Sequence, residues 1–134
     1  MVEPIWIEIE ETLIYHERQL AEHTGSSGIR DRGLLESALA KPKNIYATEE
    51  ASPHRLAACY AFGIASNHPF VDSNKRTALV VSFTFLDLNG MVVTASPEDR
   101  YLTFLALASG ELDELELAGW FSEHAKSRVE PDPA

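Results

Sequence analysis

Two apolar segments separated by a short polar stretch constrain the fold of this chain most strongly. The first, residues 56–64, is rich in small apolar residues, and the second, residues 77–88, is predominantly apolar. A helix that is apolar nearly all round belongs in the interior of a fold. The second segment is longer than a typical strand and ends in Asn89-Gly90, a pair typical of a helix C-terminus. The sequence therefore predicts two central buried helices joined by a polar loop.

Four further helices are predicted around this pair, over about residues 9–24, 31–42, 97–110 and 112–125. Asp31 and Ser96 are the predicted caps of two of them, because their side chains can accept hydrogen bonds from the first backbone N–H groups. Pro42 is expected to end the second helix, since its ring is incompatible with a helix interior. Residues 44–52 are then expected to be irregular, and residues 91–94 to form a short extended piece.

The length of 134 residues suits one domain with a single core. We expect an all-α, compact single-domain helical bundle of about six helices over residues 1–126, with a flexible C-terminal tail over residues 127–134. The sequence has no apolar run that would suggest a transmembrane helix and no signal-peptide pattern at its start. Cys59 is the single cysteine, so a disulfide framework is excluded and a buried, inert thiol is expected. These features favour the cytoplasm.

The formal net charge of −10 argues against nucleic acid as the main partner. Binding to a duplex depends on clustered lysine and arginine side chains that neutralise phosphates. Lys75 and Arg76 are a local exception to the acidic composition, because they lie together at the end of the polar loop. Such a basic pair is either a clamp for phosphate or a solvated start of a helix, and its neighbours favour the clamp.

The polar loop and the start of the next helix combine residues suited to phosphate chemistry. Backbone N–H groups at the start of a helix lack intrahelical partners, so they form an anion site to which Lys75 and Arg76 add positive charge. Asp72 can hold the Mg²⁺ that accompanies a polyphosphate. His68 can orient and deprotonate a hydroxyl, since an imidazole is largely neutral near pH 7. The chemistry that these residues favour is ATP-dependent transfer to a protein hydroxyl.

Each of these residues also has a purely structural interpretation. Asp72 and Asn74 are both good helix caps, and the Asn74 amide could hold a phosphate oxygen or tie down the loop. A histidine at a helix end is often bonded to a backbone carbonyl. Phe70 is interpreted as a buried anchor for the loop. Four other histidines, His16 among them, are expected to be surface residues.

Residues 68–76, His-Pro-Phe-x-Asp-x-Asn-Lys-Arg, resemble the active-site motif of the Fic/Doc superfamily. Lys75 stands where Fic adenylyltransferases usually have glycine, and this resembles the Doc (death-on-curing) branch of toxin–antitoxin toxins. Residues 28–39 and the segment from Asn89 through the helix after Ser96 also match the family's layout. The resemblance covers roughly residues 5–124.

The resemblance implies specific roles for the loop residues. His68 would be the catalytic base and Asp72 the ligand of Mg²⁺. ATP would be bound by Ser73, Asn74, Lys75 and Arg76. Ser73 stands where most members have glycine or alanine, and a small residue there would let backbone N–H groups approach the phosphate. Leu79 stands where Fic proteins often carry a second arginine, which again resembles Doc.

The function implied is that of a toxin of a type II toxin–antitoxin system. Doc-like members act as Ser/Thr kinases that transfer the γ-phosphate of ATP to a translation protein, elongation factor Tu, and so arrest translation. The self-inhibitory Ser/Thr-x-x-x-Glu-Gly/Asn motif of many Fic enzymes is not found in this sequence, so inhibition by a cognate antitoxin protein is expected. The alternatives are a Fic-type adenylyltransferase and a catalytically idle binding module of the same fold. A metal hydrolase is the weakest alternative.

Overall fold

The computed structural model describes residues 3–128 and confirms an all-α fold. Within these residues it has six helices, α1 (Ile9–His23), α2 (Arg32–Glu49), α3 (Pro53–Asn67), α4 (Asn74–Leu88), α5 (Pro97–Ser109) and α6 (Glu114–His124). Two short strands, β1 (Met91–Val93) and β2 (Ala125–Ser127), pair in antiparallel fashion. Across the part of the chain that the structure describes, none of the helices is both long and apolar enough to cross a membrane.

Helices α3 and α4 are the central pair, as predicted. Tyr60 of α3 and Phe85 of α4 are both fully buried, and their ring centroids lie 5.1 Å apart. Cys59 is buried as well, and burial raises the pKa of its thiol to about 12, so the expectation of an inert thiol agrees with its environment. The packing of these two helices fixes both ends of the loop that connects them.

Helix α2 does not end at Pro42, and this prediction is wrong. Pro42 lies buried inside the helix, and the stretch predicted as irregular is helical over residues 44–49. At Gly63 of α3, an added Cβ would lie only 3.0 Å from the Cβ of Ala38, so the two helices approach closely here. Beyond the proline, Tyr46 packs against the core. The free energy gained by burying these residues outweighs the loss of one helical hydrogen bond, since proline has no N–H to donate.

The predicted boundary after residue 126 falls inside β2. Ser127 belongs to β2, and the backbone N–H of Arg128 donates to the Gly90 carbonyl over 2.8 Å. The Arg128 guanidinium pairs with the Asp87 carboxylate. The first two residues of the predicted tail, Ser127 and Arg128, thus contact the rest of the domain. The rest of that tail, residues 129–134, lies outside the described residues.

Candidate functional site at the start of helix α4

A cavity of about 400 Å³ lies where α3, the connecting loop and α4 meet. It is lined by all six residues that the sequence singled out, His68, Asp72, Ser73, Asn74, Lys75 and Arg76, together with Ala65, Val71 and Ala108. The structure thus brings the six residues together at one place. Their chemical roles stay predictions.

The Asn74 side chain ties down the loop. Its Oδ1 accepts a hydrogen bond from the Phe70 N–H over 3.0 Å, and its Nδ2 donates to the Phe70 carbonyl over 3.0 Å. Phe70 itself is buried, which agrees with its predicted role as an anchor for the loop. Of the two functional interpretations of Asn74, the structural contacts favour the one in which the amide fixes the loop.

Helix α4 begins at Asn74, three residues before the apolar pattern starts, so Lys75 and Arg76 lie in its first turn. No side chain caps this end of the helix. The first backbone N–H groups of a helix lack intrahelical acceptors, and the helix dipole makes cations unfavourable there. A bound anion would satisfy the N–H groups and offset the cationic charge.

Ser73 turns the chain from the loop into α4. Its backbone lies in the left-handed region, with φ 65° and ψ 26°, which glycine adopts with less strain than any other residue. The residue is buried, and its Oγ accepts a hydrogen bond from Arg76 Nη2 over 2.5 Å. The backbone conformation therefore favours glycine at this position, and the serine hydroxyl instead holds the Arg76 side chain.

Arg76 is only partly used by its contacts within the protein. Besides its bond to Ser73, Nη2 donates to the Thr24 carbonyl at the end of α1 over 3.2 Å. Its Nε is buried without a hydrogen-bond partner in the described part of the chain. A buried donor without an acceptor is costly, so this nitrogen is suited to an anion that enters the cavity.

Asp72 is exposed, and its carboxylate accepts two backbone hydrogen bonds. The Ser26 N–H donates to Oδ2 over 3.2 Å, and the Ser73 N–H donates to Oδ1 over 2.7 Å. These bonds, with help from the charges of Arg76 and His16, lower the pKa of Asp72. The side chain is thus an ionised oxygen donor of the kind that Mg²⁺ prefers. Among residues 3–128 there is no cluster of three or more histidine, cysteine or acidic side chains that could hold a metal ion.

The lowered pKa of Asp72 predicts a specific pH dependence. A carboxyl group whose pKa is lower in the folded state stabilises the protein above its unfolded pKa, and this contribution is lost as the pH falls through the folded value. In NMR titrations the Asp72 carboxyl carbon should have its midpoint below the ordinary value of 3.8, and in urea-unfolded protein it should return to that value. Asp72→Asn should reduce the acid sensitivity of folding below that pH. A folded-state midpoint at or above the ordinary value would contradict the stabilisation of the Asp72 carboxylate by its two backbone hydrogen bonds.

His68 has a fixed backbone and an unengaged ring. The residue lies in the left-handed region after α3, with φ 48° and ψ 56°. Arg30 holds this turn, since its Nε donates to the His68 carbonyl and its Nη2 to the Asn67 carbonyl, both over 2.6 Å. The imidazole is exposed to the cavity and makes no hydrogen bond within residues 3–128, so the structural interpretation of a ring bonded to a backbone carbonyl does not apply. A ring in this state can accept a proton from a substrate hydroxyl.

The segment just before α2, residues 28–31, is hydrogen-bonded to the loop between α3 and α4. The backbone N–H groups of Arg30 and Asp31 donate to the Pro69 carbonyl over 2.7 and 3.0 Å, and the Val71 N–H donates to the Gly28 carbonyl over 3.1 Å. This segment begins residues 28–39, the block that resembles the family in sequence. Its role in this protein is to position the loop.

His16 is a site residue that the sequence interpretation missed, because its assignment to the surface is wrong. Only 2% of the residue is exposed, and its ring stacks on Phe70 with 3.8 Å between centroids and 8° between planes. Its Nε2 lies 2.8 Å from the Asp72 carbonyl oxygen and must carry the proton, since a carbonyl only accepts. The spacing of His16 from Leu13 and Leu20, three and four residues away, places it on the apolar face of α1 and was the signal available in the sequence.

Comparison with known proteins gives consistent matches. The family model described as the Fic/DOC family matches residues 6–86. The chain is 35% identical over 104 residues to "Protein kinase doc" of Escherichia phage P1, a match that covers 77% of this chain and 82% of that protein. It is 36% identical over 104 residues to "Toxin Doc" of Mycolicibacterium smegmatis, and this match covers 72% of this chain and 80% of that protein.

Proposed function

Since the chain belongs to the Fic/Doc family, we propose that it is a toxin that acts as an ATP-dependent protein Ser/Thr kinase. The reaction is transfer of the γ-phosphate of ATP to a hydroxyl of a translation protein, with elongation factor Tu as the proposed target. One observation carries the proposal: an uncapped, cationic helix start lies in the same cavity as an unengaged histidine and an exposed carboxylate. The names of the two relatives, a protein kinase and a toxin, support it.

The phosphates of ATP would bind at the start of α4. The uncapped N–H groups of Asn74, Lys75 and Arg76 can donate to phosphate oxygens, and the Lys75 and Arg76 side chains offset the negative charge. The partnerless Nε of Arg76 supplies one more donor. Because Nη2 of this arginine is already bonded to Ser73 and Thr24, its hold on a phosphate would use the remaining nitrogens.

Asp72 is the residue that would hold Mg²⁺. Its ionised carboxylate is held in place by two backbone N–H groups and lines the cavity beside the helix start. Mg²⁺ is commonly bound by one or two carboxylates together with phosphate oxygens and water. When bound, the ion would neutralise charge that develops on the phosphates.

His68 supplies the base. A target Ser or Thr hydroxyl would donate its proton to the imidazole as the hydroxyl oxygen bonds to the γ-phosphorus, and ADP would leave. Arg30 fixes the backbone from which the ring extends, so the base is held at one edge of the cavity. This arrangement provides orientation, which is the main requirement of phosphoryl transfer.

We further propose that the protein acts in the cytoplasm and that its partner is an antitoxin protein. The name of the relative "Toxin Doc" supports a partner of this kind, because a toxin must be neutralised in the cell that makes it. The sequence lacks the inhibitory motif of self-regulated family members, which favours inhibition by a second chain.

The group that is transferred distinguishes the kinase from the adenylyltransferase. After incubation with ATP, Mg²⁺ and a bacterial lysate, intact-mass and peptide mass spectrometry should find a target that has gained one phosphate. Lys75→Gly should weaken this phosphorylation by about 10- to 100-fold, the scale of a lost charged hydrogen bond, and should permit AMP transfer. Lys126→Gly, which changes an exposed lysine of β2, is the control and should behave as the parent. An adenylyl adduct made by the unmutated protein would overturn the kinase proposal.

A further inference from the structure

A second cavity, of about 240 Å³, lies between the first turns of α4 and α5. Its lining consists of Leu79, Pro97, Tyr101 and Phe104 together with Lys75, Arg76 and Arg100. Phe104 is buried beneath it, whereas Tyr101 is 57% exposed. Ligand sites are commonly lined by apolar and aromatic side chains of this kind.

The second cavity adjoins the first. Lys75 and Arg76 line both of them, so an anion held by these two side chains would stand at the entrance to the apolar cavity. Three other cavities share no residue with the proposed phosphate site; one lies against α1, another between α4 and β1, and the third beside the start of α5. An anion with an attached flat, apolar group therefore has a defined place for that group.

We propose that this second cavity binds the nucleoside of the nucleotide, with its base against Tyr101 and Leu79. The inference rests on the proposed function, because it assumes that phosphates occupy the start of α4. It adds the position of the base and names Tyr101 as a residue that recognises it. A nucleotide matches the two cavities in chemistry, since it joins a polyanion to an aromatic ring system.

Lys75 connects the two parts of the site. Its Nζ lies over the Tyr101 ring, 4.9 Å from the ring centroid. A phosphate attracts an ammonium group more strongly than an exposed aromatic ring does, because a charged hydrogen bond is stronger than an exposed cation–π contact. Arrival of the phosphates therefore draws Lys75 away from the ring, and the vacated face becomes available for stacking of the base.

Binding of two probes to the full chain tests the proposal by calorimetry in the presence of Mg²⁺. ADP carries the base, whereas inorganic pyrophosphate carries the same number of phosphates alone. The parent should bind ADP more tightly than pyrophosphate. Tyr101→Ala should weaken ADP binding about tenfold, within the range measured when an aromatic partner of a nucleobase is removed, and leave pyrophosphate binding unchanged. Tyr101→Phe should bind both probes as the parent does.

Leu105→Ala is the matched control, since Leu105 is exposed on the same helix and does not line the cavity. Circular dichroism would verify that each variant is folded, which the exposure of Tyr101 favours. If Tyr101→Ala binds ADP as tightly as the parent does, or if the parent binds both probes equally, the nucleoside site is wrong while the phosphate site stands. If neither probe binds to the parent, both proposals are wrong.

Discussion

Replacing His68 with alanine should lower the rate of phosphate transfer by about 10²- to 10⁴-fold, the usual contribution of a general base. The fold should survive, because the imidazole is exposed and forms no hydrogen bond within residues 3–128 that its removal would leave unpaired. Initial rates of target phosphorylation would measure the first effect, and urea denaturation the second. His68→Asn is the better test of chemistry alone, since asparagine tolerates the left-handed backbone that alanine disfavours.

The same variants can be compared in living bacteria. Expression of the parent should arrest growth, co-expression of its antitoxin should relieve the arrest, and His68→Asn should be harmless at an equal protein level. Ser66→Ala is a suitable control, because Ser66 is exposed near the end of α3 and does not line the cavity. A His68 variant that transfers phosphate as fast as the parent would remove the residue from the mechanism.

His16→Ala should lower the free energy of unfolding by about 2–4 kcal/mol. The change removes a ring that stacks on Phe70 and the donor that satisfies the Asp72 carbonyl, and it leaves a cavity beneath the loop. Equilibrium unfolding in urea, monitored by tryptophan fluorescence, would measure the loss. We also expect lower transfer activity, because the Asp72 backbone would lose its hydrogen bond from the His16 ring.

Two further variants separate the contributions of His16. His16→Phe keeps an aromatic ring on Phe70 but cannot donate to Asp72, so it should recover most of the stability without full activity. His23→Ala, in an exposed position on the same helix, should change the free energy of unfolding by no more than about 0.5 kcal/mol. If His16→Ala unfolded at the same urea concentration as the parent, the stacked ring would have no structural importance.

The sequence allowed most helices to be predicted because their signals are local. Ser96 does accept from the Asp99 N–H at the start of α5, as its predicted role as a cap requires. The prediction failed at Pro42, where the local signal for a helix end is opposed by contacts between α2 and α3. Only the folded structure reveals that Ala38 faces a glycine on the neighbouring helix. Tertiary packing overrides local propensity at such a position.

The sequence predicted which residues form the candidate site but not how they are arranged in space. The motif identified the six residues that line the cavity, since they lie within nine positions of one another. Several of their partners come from distant parts of the chain and carry no comparable signal. Nothing in the sequence near Arg76 indicates its bond to Thr24, and nothing near Lys75 indicates the ring of Tyr101.

The contacts that hold the loop have a consequence for the order of events during synthesis. Arg30 and Thr24, which fix the loop through His68 and Arg76, precede their partners by 38 and 52 positions. Contacts between residues so far apart form after local helices do. A chain still emerging from the ribosome can therefore contain α1, α2 and α3 and have no site. Activity is expected only once α4 has emerged and docked, so the site forms late in the synthesis of the chain.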